Sequence, residues 1–339
     1  MSNLLDSYQV LENVSQLWVA RALISAANLG VADSLSDDER SIEDLASDLK
    51  LDSNNLYRLM RGLTAVGIFQ ETSPGYFSHT PKSKVLRSND SNSVKNLVKM
   101  FGSARTLNAL VNYDIPLQSG DTAYETNQSA FDAISDEDLS IYNLAMSEST
   151  NLHLQEIVEH VDFSSSRNIV DIGGGDGRLL LSILKKYSHL SGIVIDRPSV
   201  INAIKSTADL ADRFSMITAD FKVGLPPAAD TYIAKNIFHG LNDSEALLLL
   251  QHFKKAGAAG AKIYIFETII SGSITDGAAK IFDLLLLLEG RGAKIRTIEN
   301  FKSLFSDAQI EFVEVVQTTS LVNGIVGRIE KGGQNGIGN

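Results

Sequence analysis

The first chemistry legible in this sequence lies in the run Asp171-Ile172-Gly173-Gly174-Gly175-Asp176-Gly177. Glycines at 173, 175 and 177 allow backbone angles and a close ligand approach that side chains forbid. Leu179, Leu180, Ile183 and Leu184 follow at the spacing of one apolar helix face. The turn is not the dinucleotide fingerprint, because G-x-G-x-x-G requires a glycine where Arg178 stands, so pyrophosphate is not the expected guest. The next apolar run, Gly192-Ile193-Val194-Ile195-Asp196, ends in an acid, and an acid at that strand end can accept both hydroxyls of a ribose. A nucleoside is implied.

Further along, Ala219-Asp220-Phe221 follows another apolar patch, and a strand beginning near Asp230 runs through Lys235 into a loop at His239. Imidazole is the side chain that titrates nearest neutral pH, which makes His239 the candidate to take a proton from a hydroxyl. Lys262-Ile263-Tyr264-Ile265-Phe266-Glu267 is a strand with an acid at its carboxyl end. Taken singly, these features also suit any Rossmann-like nucleotide fold with an incidental acid and a structural histidine.

Residues so far apart share one crevice when they sit at the carboxyl ends of neighbouring parallel strands. The apolar runs have that character: short, continuous and bounded by turns. At 339 residues the chain is long for one core, and two domains are expected. Hydrophobic residues at 44% and charged residues at 21% are those of a globular protein. A balance of 30 basic against 41 acidic side chains, net −11, argues against nucleic acid as partner. Without cysteine there is no disulfide, thiol nucleophile or thiolate metal site, and no His and acid cluster has metal-ligand spacing. No apolar run reaches membrane-spanning length and the first residues are not a signal peptide, so a cytoplasmic protein is expected.

Before the glycine turn the pattern is helical. From about Asp6 to Asn28, Val10, Val14, Leu17, Trp18, Ala22 and Ile24 spread over several sides of a helix, as for one buried all round in an intertwined dimer. Ser41-Ile42-Glu43-Asp44 reads as a capping box, and Leu56, Leu59, Leu63 and Val66 mark a second helix from about Ser53. Ile68–Glu71, a turn at Ser73-Pro74-Gly75, and Tyr76–Thr80 alternate like a hairpin. Helix, helix and hairpin make a winged-helix pattern, but Arg58 and Arg61 are the only cations on the would-be reading helix. Later, from about Ala130, Phe131–Ser135 leads into a helix on which Tyr142, Met146 and Thr150 line one face.

Taken together, Asp171–Gly177, Asp196-Arg197-Pro198, Ala219-Asp220-Phe221 and Lys235-x-x-x-His239 resemble the S-adenosylmethionine-dependent O-methyltransferases of the plant caffeic-acid and bacterial polyketide-tailoring type. The resemblance runs from about Gln9 to about Glu330. It implies an α/β fold: a Rossmann-like class I methyltransferase domain at 106–339, with a mostly parallel seven-stranded sheet and an antiparallel C-terminal strand, after a winged-helix-like dimerisation domain at 1–105. The runs 311–317 and 324–330 suit the closing strands, and the glycine-rich tail from Gly332 to Asn339 is expected to be disordered.

The resemblance also implies roles. Tyr142, Met146 and Thr150 match the family helix that touches the methyl donor. Asp171, Gly173, Gly175, Asp196, Arg197, Asp220, Phe221 and Lys235 would bind S-adenosylmethionine, with S-adenosylhomocysteine as product; His239 would be the base and Glu267 its flanking acid. Two departures stand out. The family continuation His-Asp-Trp-x-Asp is here His239-Gly240-Leu241-Asn242-Asp243, and in the run matching Gly-x-Glu-Arg-Thr, Ile295 stands where the second flanking glutamate is expected. Asp283 is a possible substitute contact or a helix-start acid. The expected function is O-methylation of a phenol or enol on a small, largely apolar metabolite by a homodimer without metal. N- or C-methylation, cyclisation or hydroxylation on the same fold is an alternative, and a ligand-sensing winged-helix DNA binder is a second.

Overall fold

The computed structural model describes residues 2–124, 135–201, 212–225, 229–272 and 276–330. The readings of Phe131–Ile134 and of the tail Gly332–Asn339 lie outside the described residues. The chain divides into two compact units, one drawn from 1–107 and 134–149, the other from 108–133 and 150–339.

In the first unit, helix Ser2–Asn28 leads into helices Ile42–Leu49 and Ser53–Thr64 and a three-stranded antiparallel sheet of order β1-β3-β2, with β1 Arg40–Ser41, β2 Phe69–Ser73 and β3 Tyr76–His79. Ser41 caps its helix as expected, its hydroxyl oxygen accepting the Asp44 N–H at 3.1 Å. The reciprocal half of the box differs: the Ser41 hydroxyl donates to the Asp44 carboxylate at 2.7 Å. The core gathers Leu45, Met60, Leu63, Phe69 and Phe77, all buried. Glu148, carried by helix Asp136–His160, is buried in this unit, accepting the Leu97 N–H at 2.9 Å and the Asn96 amide at 2.7 Å. For helix Ser2–Asn28 the burial expected is that of a dimer, and the single chain leaves part of it uncovered. In the single chain Leu4, Leu5, Tyr8, Leu11, Val14, Leu17 and Trp18 are exposed, because no other described segment of the chain covers that face.

The second unit is built on one sheet. Its strands are β4 Asn168–Ile172, β5 Ser191–Asp196, β6 Phe214–Thr218, β7 Thr231–Lys235, β8 Lys262–Thr268, β9 Glu311–Val316 and β10 Val322–Arg328, in the order β6-β5-β4-β7-β8-β10-β9. All neighbours are parallel except β10, antiparallel to both β8 and β9. The central strands are buried along most of their length, as expected of strands covered on both faces. One face packs Val170, Ile172, Tyr232, Ala234, Ile263 and Ile265 against helices Asp243–Ala256 and Ile298–Asp307. The other sets Ile169, Ile233 and Phe266 against Ile157, Leu179, Ile183 and Leu184. Each such aliphatic side chain, fully buried, contributes about 1.5–3 kcal/mol.

Register decides which residues meet. Ile172 pairs with Ile195 and with Ala234, Asp196 with Thr218, and Lys235 with Phe266. The residues that follow these pairs, from Gly173, Arg197, Ala219 and Asn236 onward, therefore leave the sheet along one edge, beside Glu267 near the end of β8.

Candidate functional site

The glycine turn starts where β4 ends. Gly173 has φ +62° and donates its N–H to the Ile195 carbonyl at 2.8 Å; a Cβ there would lie 2.5 Å from Ile237 Cδ1. The backbone angle calls for glycine, and a Cβ would also force the end of the Ile237 side chain to move. Gly174, which sequence reasoning passed over, is needed because a Cβ would lie 2.6 Å from the Asp171 carboxyl carbon. Gly175 has φ +60° and donates to Asp196 Oδ2 at 2.9 Å, while the space where its Cβ would stand is open. The other oxygen of Asp196 accepts the Arg197 N–H at 2.7 Å. Two backbone donors thus aim this carboxylate, and its remaining lone pairs can accept further hydroxyl donors.

Ala219 donates to the Asp196 carbonyl at 3.1 Å, which brings Asp220 and Phe221 alongside. Asp220 is exposed and turns back to the Lys222 N–H at 2.9 Å. Phe221 packs on the core, its carbonyl held by His252 Nδ1 at 2.9 Å.

Asp171 is buried, and burial, reinforced by Asp196 and by Asp176 but opposed by Lys235, pushes its carboxyl up to about 8. Its Oδ2 has no hydrogen-bond partner among the described residues. Burial pushes the Lys235 ammonium down to about 8 against the pull of Glu267 and Asp171. An orphaned buried carboxyl oxygen, an aimed carboxylate and an open glycine cradle fit a nucleoside donor carrying a cationic amino-acid chain.

After Lys235 the chain leaves β7 sharply. Asn236 takes φ +57°, its N–H bonded to the Phe266 carbonyl at 3.0 Å, and a 3-10 turn Phe238–Gly240 carries His239. Because β7 and β8 are neighbours, this turn lies over the end of β8. Glu267 Oε1 accepts the backbone N–H groups of Phe238 at 2.7 Å and His239 at 3.2 Å; Oε2 stands 2.8 Å from His239 Nδ1. With Glu267 only 2% exposed, the carboxylate is committed to these donors, and by accepting from Nδ1 it leaves Nε2 as the nitrogen that can take a proton. Phe282 meets the imidazole edge to face, with ring centres 5.9 Å apart.

A buried arginine that sequence reasoning missed secures this turn. Arg296 is 1% exposed and donates to the carbonyls of Phe238 and Leu241, the latter at 2.8 Å, and to Asp243 Oδ1 at 2.8 Å. Asp243 opens helix Asp243–Ala256 behind an Asn242 cap and also pairs with Lys294 at 2.7 Å; the Lys294 hydrogen bond, then the Arg296 bonds, hold its carboxyl below the usual range despite partial burial. One signal in the sequence bears on it: the resemblance matches Asp243 and the Arg296-Thr297 pair to its motifs, without saying that Arg296 is buried.

The two residues assigned to the acceptor side meet each other. Asp283, inside helix Gly277–Leu286 and not at its start, accepts the Ile295 N–H at 2.7 Å, while the Ile295 side chain is buried. Thr150 belongs to the second unit; Tyr142 and Met146 lie on the part of helix Asp136–His160 that belongs to the first.

Residues 118–311 match the family described as the O-methyltransferase domain, and residues 11–89 the O-methyltransferase dimerisation domain. The phenazine O-methyltransferase PhzM of Lysobacter antibioticus is 30% identical over 318 residues, 92% of this chain and 93% of that one. The crystal structure of LaPhzM superposes with a TM-score of 0.88 at 30% identity, covering 95% of this chain and 99% of that. CalO1, a methyltransferase in calicheamicin biosynthesis solved in its SAH-bound form, superposes with a TM-score of 0.86 at 25% identity, covering 98% of this chain and 100% of that.

Proposed function

The chain belongs to the O-methyltransferase family, and from its site we propose that His239 is the general base of an O-methyl transfer to a phenolic or enolic hydroxyl of a small, largely apolar metabolite. The enzyme is S-adenosylmethionine-dependent. When bound, that donor supplies an electrophilic methyl on a sulfonium and leaves as S-adenosylhomocysteine. The residues fit it: Asp196 for the ribose, the Gly173–Gly175 turn for close approach, Asp220 and Phe221 beside the adenine, and Asp171 facing the amino-acid chain, with Arg197 and Lys235 on the same edge. Thr150, in the same unit, is assigned to the donor side in this reading.

The observation that carries the proposal is the 2.8 Å contact between His239 Nδ1 and Glu267 Oε2. Glu267 orients the ring and offsets the charge gained when Nε2 takes the hydroxyl proton. The turn around His239 is fixed before any acceptor arrives, so orientation contributes to the rate as well as proton removal. Asp283 and Ile295 border the acceptor side in this reading; Asp283 Oδ1 accepts the Ile295 N–H, and Glu267, in contact with the ring, is the acid that supports the base.

The dimerisation domain supports a homodimer and the methyltransferase domain a small-molecule acceptor. We assign dimerisation to 1–105 and methyl transfer to 106–339, and place the enzyme in the cytoplasm. The exposed apolar face of helix Ser2–Asn28 is the surface we assign to the partner copy. Labelled-methyl transfer to a panel of phenols tests the chemistry. Transfer to oxygen that His239→Ala abolishes supports the reading; near-wild-type turnover of the variant, or label on nitrogen or carbon, overturns the base or the acceptor assignment respectively.

A further inference from the structure

One titratable side chain at this edge has no part in the reading above. His153 lies four residues before Ile157 on helix Asp136–His160, so the two share a helix face. Ile157 packs into the layer that holds Ile169 and Ile233. Side chains alternate along a strand, so Asp171, two residues after Ile169, and Lys235, two after Ile233, face the same side of the sheet. One helical turn beyond Ile157, His153 therefore lies on the side of the sheet that Asp171 and Lys235 face, near enough to feel the Lys235 charge.

Two atoms here are buried with no hydrogen-bond partner among the described residues, His153 Nδ1 and Asp171 Oδ2. Buried polar atoms of this kind lower stability unless a partner is supplied, and two of them at one strand edge ask for a polar ligand group of their own. Burial, followed by the Lys235 charge, pushes the His153 imidazolium down to about 4, so the ring is neutral at physiological pH and offers both a donor and an acceptor.

We propose that His153 is a positioning residue for the amino-acid end of the methyl donor: Nδ1, in its N–H form beside Lys235, donates to the donor's carboxylate, while Asp171 Oδ2 takes its ammonium. The assignment rests on the donor named above. The pair would lock the zwitterionic end and so fix how far the sulfonium reaches from the glycine turn.

The test is calorimetric titration of the full-length dimer with two ligands: S-adenosylhomocysteine, and 5′-methylthioadenosine, which keeps the nucleoside thioether and lacks the amino-acid chain. The variants are His153→Phe, which keeps a ring and removes both nitrogens, and His153→Gln, which restores a polar terminus should the aromatic replacement disturb folding. His153→Phe is expected to weaken S-adenosylhomocysteine about tenfold or more and to leave methylthioadenosine unchanged, with His153→Gln recovering part of the loss. Equal weakening of both ligands would make His153 a packing residue, and unchanged binding of both would remove it from the site; either overturns the proposal. Wild-type protein that binds neither ligand overturns the donor assignment itself, which separates the two failures.

Discussion

Glu267 holds His239 from two directions: Oε2 contacts the ring at Nδ1, and Oε1 takes the backbone N–H of the same residue and that of Phe238. Ring and backbone are thus oriented by one buried carboxylate. Its removal should act on catalysis before it acts on donor binding. Glu267→Gln and His239→Ala are expected to lower kcat by about 10²–10⁴ while leaving the Kd for S-adenosylhomocysteine near wild type. Steady-state kinetics and calorimetry on the same preparations check this; a parallel loss of donor affinity would assign Glu267 to the cleft's architecture.

Arg296 supports that turn from beneath. Replacing it with Ala leaves the Phe238 and Leu241 carbonyls without their donor, at an expected cost of about 1–3 kcal/mol for each orphaned group in urea unfolding, while the exposed Asp243 keeps Lys294. Arg296→Lys keeps the charge but cannot reach three acceptors with a planar fork, so an intermediate loss is expected. A neutral Arg296→Ala would mean the turn is held by Glu267 alone.

The glycine turn separates stability from binding. Gly173→Ala meets both a left-handed φ and Ile237, so it should destabilise the fold, and Ile237→Ala should recover the steric part only. Gly175→Ala faces open space and incurs only the left-handed penalty, about 1–2 kcal/mol. Yet it puts a methyl group into the cradle, and donor affinity is expected to fall about tenfold or more. Melting temperatures and titrations of the pair decide; donor binding unchanged in Gly175→Ala would place the donor elsewhere.

Asp171 makes stability depend on pH. Unfolded, its carboxyl ionises near pH 4. Folded, burial and then Asp196 raise it to about 8. The folded chain therefore holds the extra proton between those values, and stability falls as pH rises through the window, by at most about 1.4 kcal/mol per pH unit. Asp171→Asn removes the titration, so its stability advantage over wild type, measured without donor, should grow from pH 5 to pH 8. A difference that stays constant would show an ordinary carboxylate.

Trp18 is the only tryptophan of the chain and is 71% exposed on helix Ser2–Asn28. Dilution through the dimer dissociation range is expected to shift its emission to the red, and Leu11→Glu with Trp18→Glu to give a monomer in sedimentation. A dimer that persists in the double variant would move the interface off this helix.

What the sequence disclosed was local. The glycine turn, the acid ending β5 and the buried runs of β4, β7 and β8 could be seen because parallel strands and glycine turns write themselves into short stretches. His239 and Glu267 could each be marked, but their contact depends on β7 lying beside β8, which no local pattern states. Arg296 was hidden by its own chemistry: a charged residue reads as solvent-facing, and it is buried here because two carbonyls and Asp243 use its donors. At Ile295 the missing acid was visible, whereas the bond from its N–H to Asp283 became visible only in the fold.

The Glu148 contacts carry an evolutionary corollary. They tie Leu97 and Asn96 to a residue that follows them in the chain only after a passage through the second unit. A single crossover falling between Leu97 and Glu148 would set a borrowed Asn96 against a native Glu148. Exchanging the first unit alone takes three breakpoints, after 107, 133 and 149, whereas one crossover after 149 keeps the contacts but carries 108–133 of the second unit along.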